Sequence, residues 1–343
     1  VVRWRTEGGL IGGERAMLPR YSWAAALPNP SNQRGNPVVH ATSDRARARR
    51  RPLVTGAILV AGLLLGLAVA VPAGAVPVTA GYRDHVYTDV DTTATTQPTK
   101  DKPQSKVWFN DGSWWSGMMN PASGDFEIYE LDVATHTWTT TGTALDSRDS
   151  SQADYLWDGT NLFVVSAGTD SSTGPITVYK LNYNSNNRTY SHDNAFGDDG
   201  VQVGSGPTET VTIAKDSTEQ LWVAYDNPVG APATHRNVMV NRSLASQHLW
   251  GTSFDIAQTG LDDIAAIIAY GGNAVGVAWS DERPQSGQTR FLFRGHSDAA
   301  ADGTWGTTFL MASGAGNFAE DHINLTKPSA NSGRVLAAVK LNG

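Results

Sequence analysis

The chain has no cysteine in 343 residues, which excludes a disulfide framework, a thiolate nucleophile and a cysteine-ligated zinc centre. Charge is also scarce. Charged residues make up 17% of the sequence, against about a quarter in an average globular protein. What stands in their place is 35 Gly and 11 Trp, a balance that suits short strands, tight turns and buried aromatics better than a helical protein. A repetitive all-β body can run well past 200 residues as one domain, so the length points to one large body.

The net charge of −7 hides two unlike parts. Residues 1 to 75 contain ten Arg, no Lys and three acids, so the remainder holds 16 basic and 30 acidic residues. A body that acidic repels phosphate backbones, and nucleic acid is excluded as a partner. The basic part carries an export signal. Arg45, Arg47, Arg49, Arg50 and Arg51 precede an uncharged apolar run over residues 53 to 71, and Ala73-Gly74-Ala75 follows. A basic stretch, an apolar core and an A-x-A site make a secretory signal cut after Ala75. The run is also long enough to span a bilayer, so an uncleaved N-terminal anchor is the alternative, and with it the only membrane contact. Either way the body is placed outside the cytoplasm, secreted or in the cell envelope. Residues 1 to 52 read as a disordered basic region, 53 to 75 as the signal and 76 to 105 as a Thr-, Asp- and Pro-rich linker.

From residue 106 to 343 the chain repeats. Second strands of a common unit read SWWSGMM from Ser113, NLFVVSA from Asn161, QLWVAYD from Gln220, NAVGVAWS from Asn273 and GRVLAAVK from Gly333, at intervals of 48, 59, 53 and 60 residues. An aromatic opening the fourth strand gives a second ruler. Trp138, Tyr190, Trp250 and Trp305 are 52, 60 and 55 apart. Two rulers of nearly equal period, with Gly- and Asp-rich hairpin turns between, predict an all-β β-propeller of four-stranded blades: four blades and part of a fifth. The fifth stops after its second strand. Either residues 82 to 90 return to complete it, or the chain is a piece of a larger propeller.

The segments KVWFNDGSWWSGMM, IYELDVATHTWTTTGTALDSRDSSQADYLWDGTNLFVVS and EDHINLTKPSANSGRVLAAVK resemble a group of exported bacterial propellers without an assigned activity. More distantly they are similar to sialidase-like, BNR-repeat propellers. The departures matter. The nearest segments to a sialidase Asp-box, Ser297-Asp298 to Trp305 and Asp132 to Trp138, have a different internal spacing, and the Phe/Tyr-Arg-Ile-Pro element is absent. True sialidase activity is therefore not expected even on a shared fold.

In a propeller, the loops entering the innermost strands and leaving the second strands open on one face, beside the channel. Asp154, Glu209, Asp263, Asp321 and His322 fall at the entering points and are the candidate catalytic residues. Arg148, Asp281, Arg283 and Trp114 are the candidate substrate-binding residues. Paired carboxylates could act as acid and base on a glycosidic bond. A His with a Tyr suits a lyase, and His322 resembles the channel-facing His of ulvan-lyase propellers. Several carboxylates also suit Ca²⁺, the one cofactor such a ring admits. Against these stands the ordinary role of acids at strand ends, which is to bond turn amides. The expected function is binding of a polysaccharide or glycoconjugate at the channel face, with its processing by a glycoside hydrolase or polysaccharide lyase reaction. The alternative is a structural or protein-interaction propeller of the cell envelope without catalysis.

Overall fold

Segments of alternating polarity and rich in Val, Ile, Tyr and Trp form strands because each turns one side to a neighbouring sheet. The computed structural model describes residues 102–148, 150–168, 174–197 and 199–341. The export segment and residues 1 to 101 lie outside the described residues. Among the described residues no helix is long and apolar enough to cross a membrane.

The protein is all-β, and its described residues form four complete antiparallel blades and a two-stranded sheet. Blade 1 is β1 (Val107–Asn110), β2 (Ser113–Met119), β3 (Phe126–Asp132) and β4 (Thr137–Asp146). Blade 2 is β5 (Ser151–Trp157), β6 (Asn161–Gly168), β7 (Pro175–Asn184) and an outer strand in two pieces, β8 (Thr189–His192) and β9 (Val201–Ser205), both paired with β7. Blade 3 is β10 (Val211–Lys215), β11 (Leu221–Gly230), β12 (Ala233–Arg242) and β13 (Phe254–Thr259). Blade 4 is β14 (Ala265–Tyr270), β15 (Ala274–Gln285), β16 (Gln288–Ser297) and β17 (Phe309–Ala315). The fifth sheet is β18 (Ala319–Thr326) and β19 (Leu336–Leu341).

The inner strands β1, β5, β10, β14 and β18 lie side by side in that order. They surround a cavity of about 240 Å³ that touches Asp154, Ile213, Ile267 and Leu325. Neighbouring inner strands belong to different sheets, so their facing amides need other partners; Tyr155 N donates to Ser105 O, and from blade 2 onward side chains take up the rest. Asp154 Oδ2 accepts Ile213 N at 2.8 Å, Thr212 Oγ1 accepts Ile267 N at 3.0 Å and Thr210 Oγ1 accepts Ala265 N at 3.4 Å.

The apolar cores lie between blades. Leu221, Val223 and Tyr225 of β11 face blade 2, while Trp222 and Ala224 of the same strand face blade 4. Three of the four recurring aromatics, Tyr190, Trp250 and Trp305, belong to these interfaces, whereas Trp138, on β4, is half-buried and in none of them. Tyr190 meets Trp115 edge-on at 5.1 Å and accepts a hydrogen bond from Trp108 Nε1 at 2.8 Å. Trp250 and Trp305 pack into the next two interfaces, but they stand just before β13 and β17 and not within them. Each is followed by a glycine whose N–H bonds the third strand, Gly251 to Arg242 O and Gly306 to Gly295 O. The fourth strand thus begins with one local bond and resumes after a break.

Between blades 1 and 2 the backbone of β2 comes so near blade 2 that a Cβ at Gly117 would overlap the Tyr155 hydroxyl and ring. Tyr155 stacks on Trp108 at 5.3 Å and has no room to withdraw. Gly117→Ala is therefore expected to destabilise the protein by about 1–3 kcal/mol, the usual cost of overpacking. The check is a lower urea midpoint with an unchanged m-value, and an unchanged midpoint would contradict it.

Candidate functional site

The mouth of the channel is built by the loops that lead into β10 and β14 and by the first residues of β18. Lys102, five residues before β1, crosses it. Its Nζ donates to Glu209 Oε1 at 2.5 Å and to Asp321. Burial disfavours the Lys102 ammonium, but the bonds to Asp321 and Glu209 outweigh burial and hold its pKa above the ordinary value. Asp321 feels the same pair from the other side. Burial raises its pKa, while Lys102 and His322 lower it further and keep it a carboxylate.

Around this ion triad stand further titratable groups. Carboxylate oxygens of Glu209, Asp262 and Asp321 lie within 4.8 Å of one another, as do ligand atoms of Glu320, Asp321 and His322. His322 Nδ1 is 2.8 Å from Asp321 Oδ1. Lys340 Nζ neutralises Glu320. Glu282, where β15 leaves the mouth, has its pKa pushed up to about 7, first by burial and then by the negative charges of Asp263, Asp262, Asp321 and Glu320.

Of the residues expected from sequence, Glu209, Asp321 and His322 meet here. Asp154 does not. It lies inside the channel wall, where its carboxylate accepts Ser105 N and Ile213 N, and burial pushes its pKa up to about 7. Asp263 is fully buried, and its Oδ2 accepts Thr259 Oγ1, Gly260 N and Glu282 N. Its chain neighbour Asp262 is the one that joins the mouth. Arg148 is bonded to Asp146 and to Pro175 O. Asp281 is buried between Arg283 and Arg290, and Arg283 also bonds Gln258. Trp114 is near the β1–β2 turn, at the end of the strand away from the mouth, and stacks edge-on with Phe109 at 5.3 Å.

Sequence reasoning missed Lys102, and although Asp262 and Glu282 fall on the expected face, it favoured their chain neighbours Asp263 and Asp281 as site residues. Lys102 falls in the stretch that reads as linker, yet residues 102 to 105 are bonded into the body: Ser105 O accepts Tyr155 N and Gln104 Nε2 donates to Gln152. Ca²⁺ fits this mouth poorly, because a lysine ammonium already stands between two of the three clustered carboxylates.

No protein-family model and no curated protein matches the chain. Among solved structures it is similar to an ulvan lyase of polysaccharide lyase family 25, with a TM-score of 0.49 and 12% identity over 68% of this chain and 61% of the lyase. It is similar also to a thermostable family-43 glycoside hydrolase, with a TM-score of 0.40 and 10% identity over 69% of this chain and 82% of the other. A family-43 endo-arabinanase from Bacillus licheniformis gives 0.38 and 9%, over 71% of this chain and 96% of the enzyme. The chain thus spans 61% of the length of the ulvan lyase. Likeness at this level is one of general strand layout and says nothing of chemistry. None of the three is a sialidase, and the sialidase-like resemblance gains no support from them.

The Glu282 carboxyl gives the mouth a pH signature. Its folded pKa is raised from 4.5 to about 7, so between those values the folded state holds a proton that the unfolded state has lost. Its contribution to stability is full below 4.5 and is lost as pH rises through 7. Glu282→Gln removes the titration. The melting temperature of the variant, relative to the parent, is expected to rise steadily from pH 5 to pH 8. A difference that does not change with pH would remove the perturbed carboxyl from the account.

Proposed function

We propose that the protein is an exported propeller whose channel mouth binds a polysaccharide or glycoconjugate and hydrolyses it. The observation that carries this reading is the meeting, at one opening, of a carboxyl that is half protonated near neutrality with carboxylates that stay ionised. Glu282 has a pKa of about 7, while Asp321 is held as an anion by Lys102 and His322. Two carboxyl groups pushed to opposite protonation states are what acid and base work on a glycosidic bond needs. Glu282 serves as the proton donor to the leaving oxygen. Asp262 and Glu209 accept hydrogen bonds from sugar hydroxyls or from the attacking water, and Asp321 orients His322.

The charge of the mouth narrows the ligand. Glu209, Asp262, Glu320 and Asp321 face Lys102 and Lys340, so a uronate or sulfated chain meets repulsion there, whereas a neutral or amino sugar does not. That favours hydrolysis over β-elimination, which needs a uronate. Export rests on the arginines before residue 53, the apolar run to residue 71 and Ala73-Gly74-Ala75.

The test is a panel of neutral, amino-sugar and uronate polysaccharides, followed by release of reducing ends and by the absorbance of unsaturated uronate. Reducing ends from a neutral or amino-sugar polymer are expected. Glu282→Gln is expected to lower the rate about 100-fold or more with binding retained. Unsaturated products would replace hydrolysis with elimination, and failure of every polymer to bind would remove carbohydrate as the ligand.

A further inference from the structure

Two acids of the mouth are seated in the same way. Glu209 N donates to Asp226 Oδ2 at 3.0 Å, and Glu282 N donates to Asp263 Oδ2 at 2.9 Å. Both aspartates are fully buried. In each case a carboxylate behind the mouth takes up the backbone of a residue whose own carboxyl belongs to the mouth. At Glu282 the need is local, because the β15–β16 ladder is interrupted between Asp281 and Gln285. The Glu282 amide falls in that gap and needs another acceptor.

The two aspartates differ in what balances their charge. Asp226 also bonds the Arg236 guanidinium, as Asp146 bonds Arg148 and Asp281 bonds Arg283 and Arg290. Asp263 takes its hydrogen bonds from the Thr259 hydroxyl at 2.8 Å and from the amides of Gly260 and Glu282. None of these donors carries a charge. After burial, the strongest influence on the Glu282 carboxyl is the negative charge of Asp263, ahead of Asp262, Asp321 and Glu320. The last two lie on β18 beside His322 and are paired with Lys102 and Lys340. On the strand of Glu282 itself, Asp281 and Arg283 are paired with each other.

We propose that Asp263 is a positioning residue for Glu282: it grips the backbone from which the proton donor reaches the mouth and, by its charge, extends the action of the mouth toward alkaline pH. Being buried, it acts through Glu282 and not on a substrate. The inference rests on the reading of Glu282 as the proton donor. Like charges held close together favour the protonated form of the one that can take up a proton.

The titration of Glu282 can be followed apart from activity, as the carboxyl band that Glu282→Gln removes from the infrared difference spectrum. Asp263→Asn keeps the shape and an acceptor but loses the charge, and the Glu282 midpoint is expected to fall by about one pH unit. On a polymer that the parent hydrolyses, the alkaline limb of the rate moves with it. The variant keeps the parent's rate at pH 5 and loses about 10-fold at pH 8, with KM little changed. A role in folding alone lowers the rate equally at every pH. Gly260→Ala is the second variant should Asp263→Asn not fold, since its Cβ would stand 2.6 Å from Asp263 Oδ2 and displace the carboxylate. The midpoint is expected to fall there too. A Glu282 midpoint unchanged in the variants overturns the inference, whether or not a polymer is cleaved. A lowered midpoint in a protein that cleaves no polymer upholds the hold of Asp263 on Glu282 and removes hydrolysis instead.

Discussion

A four-stranded blade has two apolar faces and can bury neither alone. Everything else in this molecule follows from that constraint. Trp222 and Trp279 are fully buried because the neighbouring blade supplies the other wall. The hydrophobic contribution of such residues, roughly 3–5 kcal/mol for a large aromatic, therefore belongs to pairs of blades. Sheets stacked in this way converge on an axis, and the convergence leaves inner-strand amides without ladder partners. The short side chains Asp154, Thr210 and Thr212 close that gap. A buried amide left open would cost about as much as a lost hydrogen bond.

The same constraint explains which parts of the structure were legible in the sequence. Blade number, strand order and the half-blade at the end follow from apolar alternation, which packing enforces on every blade. The aromatic ruler was legible for the same reason, since Tyr190, Trp250 and Trp305 each plug an interface. The split of the outer strand of blade 2 into β8 and β9 was not. It depends on Gly200, at φ +71°, lying so close to Thr177 and Tyr179 that a Cβ has no room, a contact across strands that no local pattern announces.

The site was legible only as a neighbourhood. Sequence places acids at the loops entering inner strands, but adjacent residues in such a loop turn opposite ways. Asp262 and Asp263 are indistinguishable in composition. One joins the mouth, and the other is turned inward to bind Gly260 N, Thr259 Oγ1 and Glu282 N. Asp154 was drawn into the same list because it begins a strand pattern, though the residue equivalent to it in blade 3 is Thr212, a stitch between strands. Arg148 and Arg283 lie near the face in sequence and suggest substrate binding, yet they are held by Asp146 and Asp281. The cation that bridges Glu209 and Asp321 comes from outside the repeats.

That cation ties the chemistry of the mouth to the path of the chain before β1. Lys102 precedes blade 1, Glu209 leads into blade 3 and Asp321 begins the fifth sheet, so one ammonium joins three elements across the channel. Like charges this close would otherwise raise one another's pKa values and take up protons. With Lys102 in place Asp321 stays ionised and can hold His322, while Glu282, which makes no ion pair among the described residues, is raised to about 7 first by burial and then by the neighbouring negative charges. The division of protonation states therefore depends on where the chain threads before β1. A site of this kind is set as much by the path of the residues that precede β1 as by the repeats that line it.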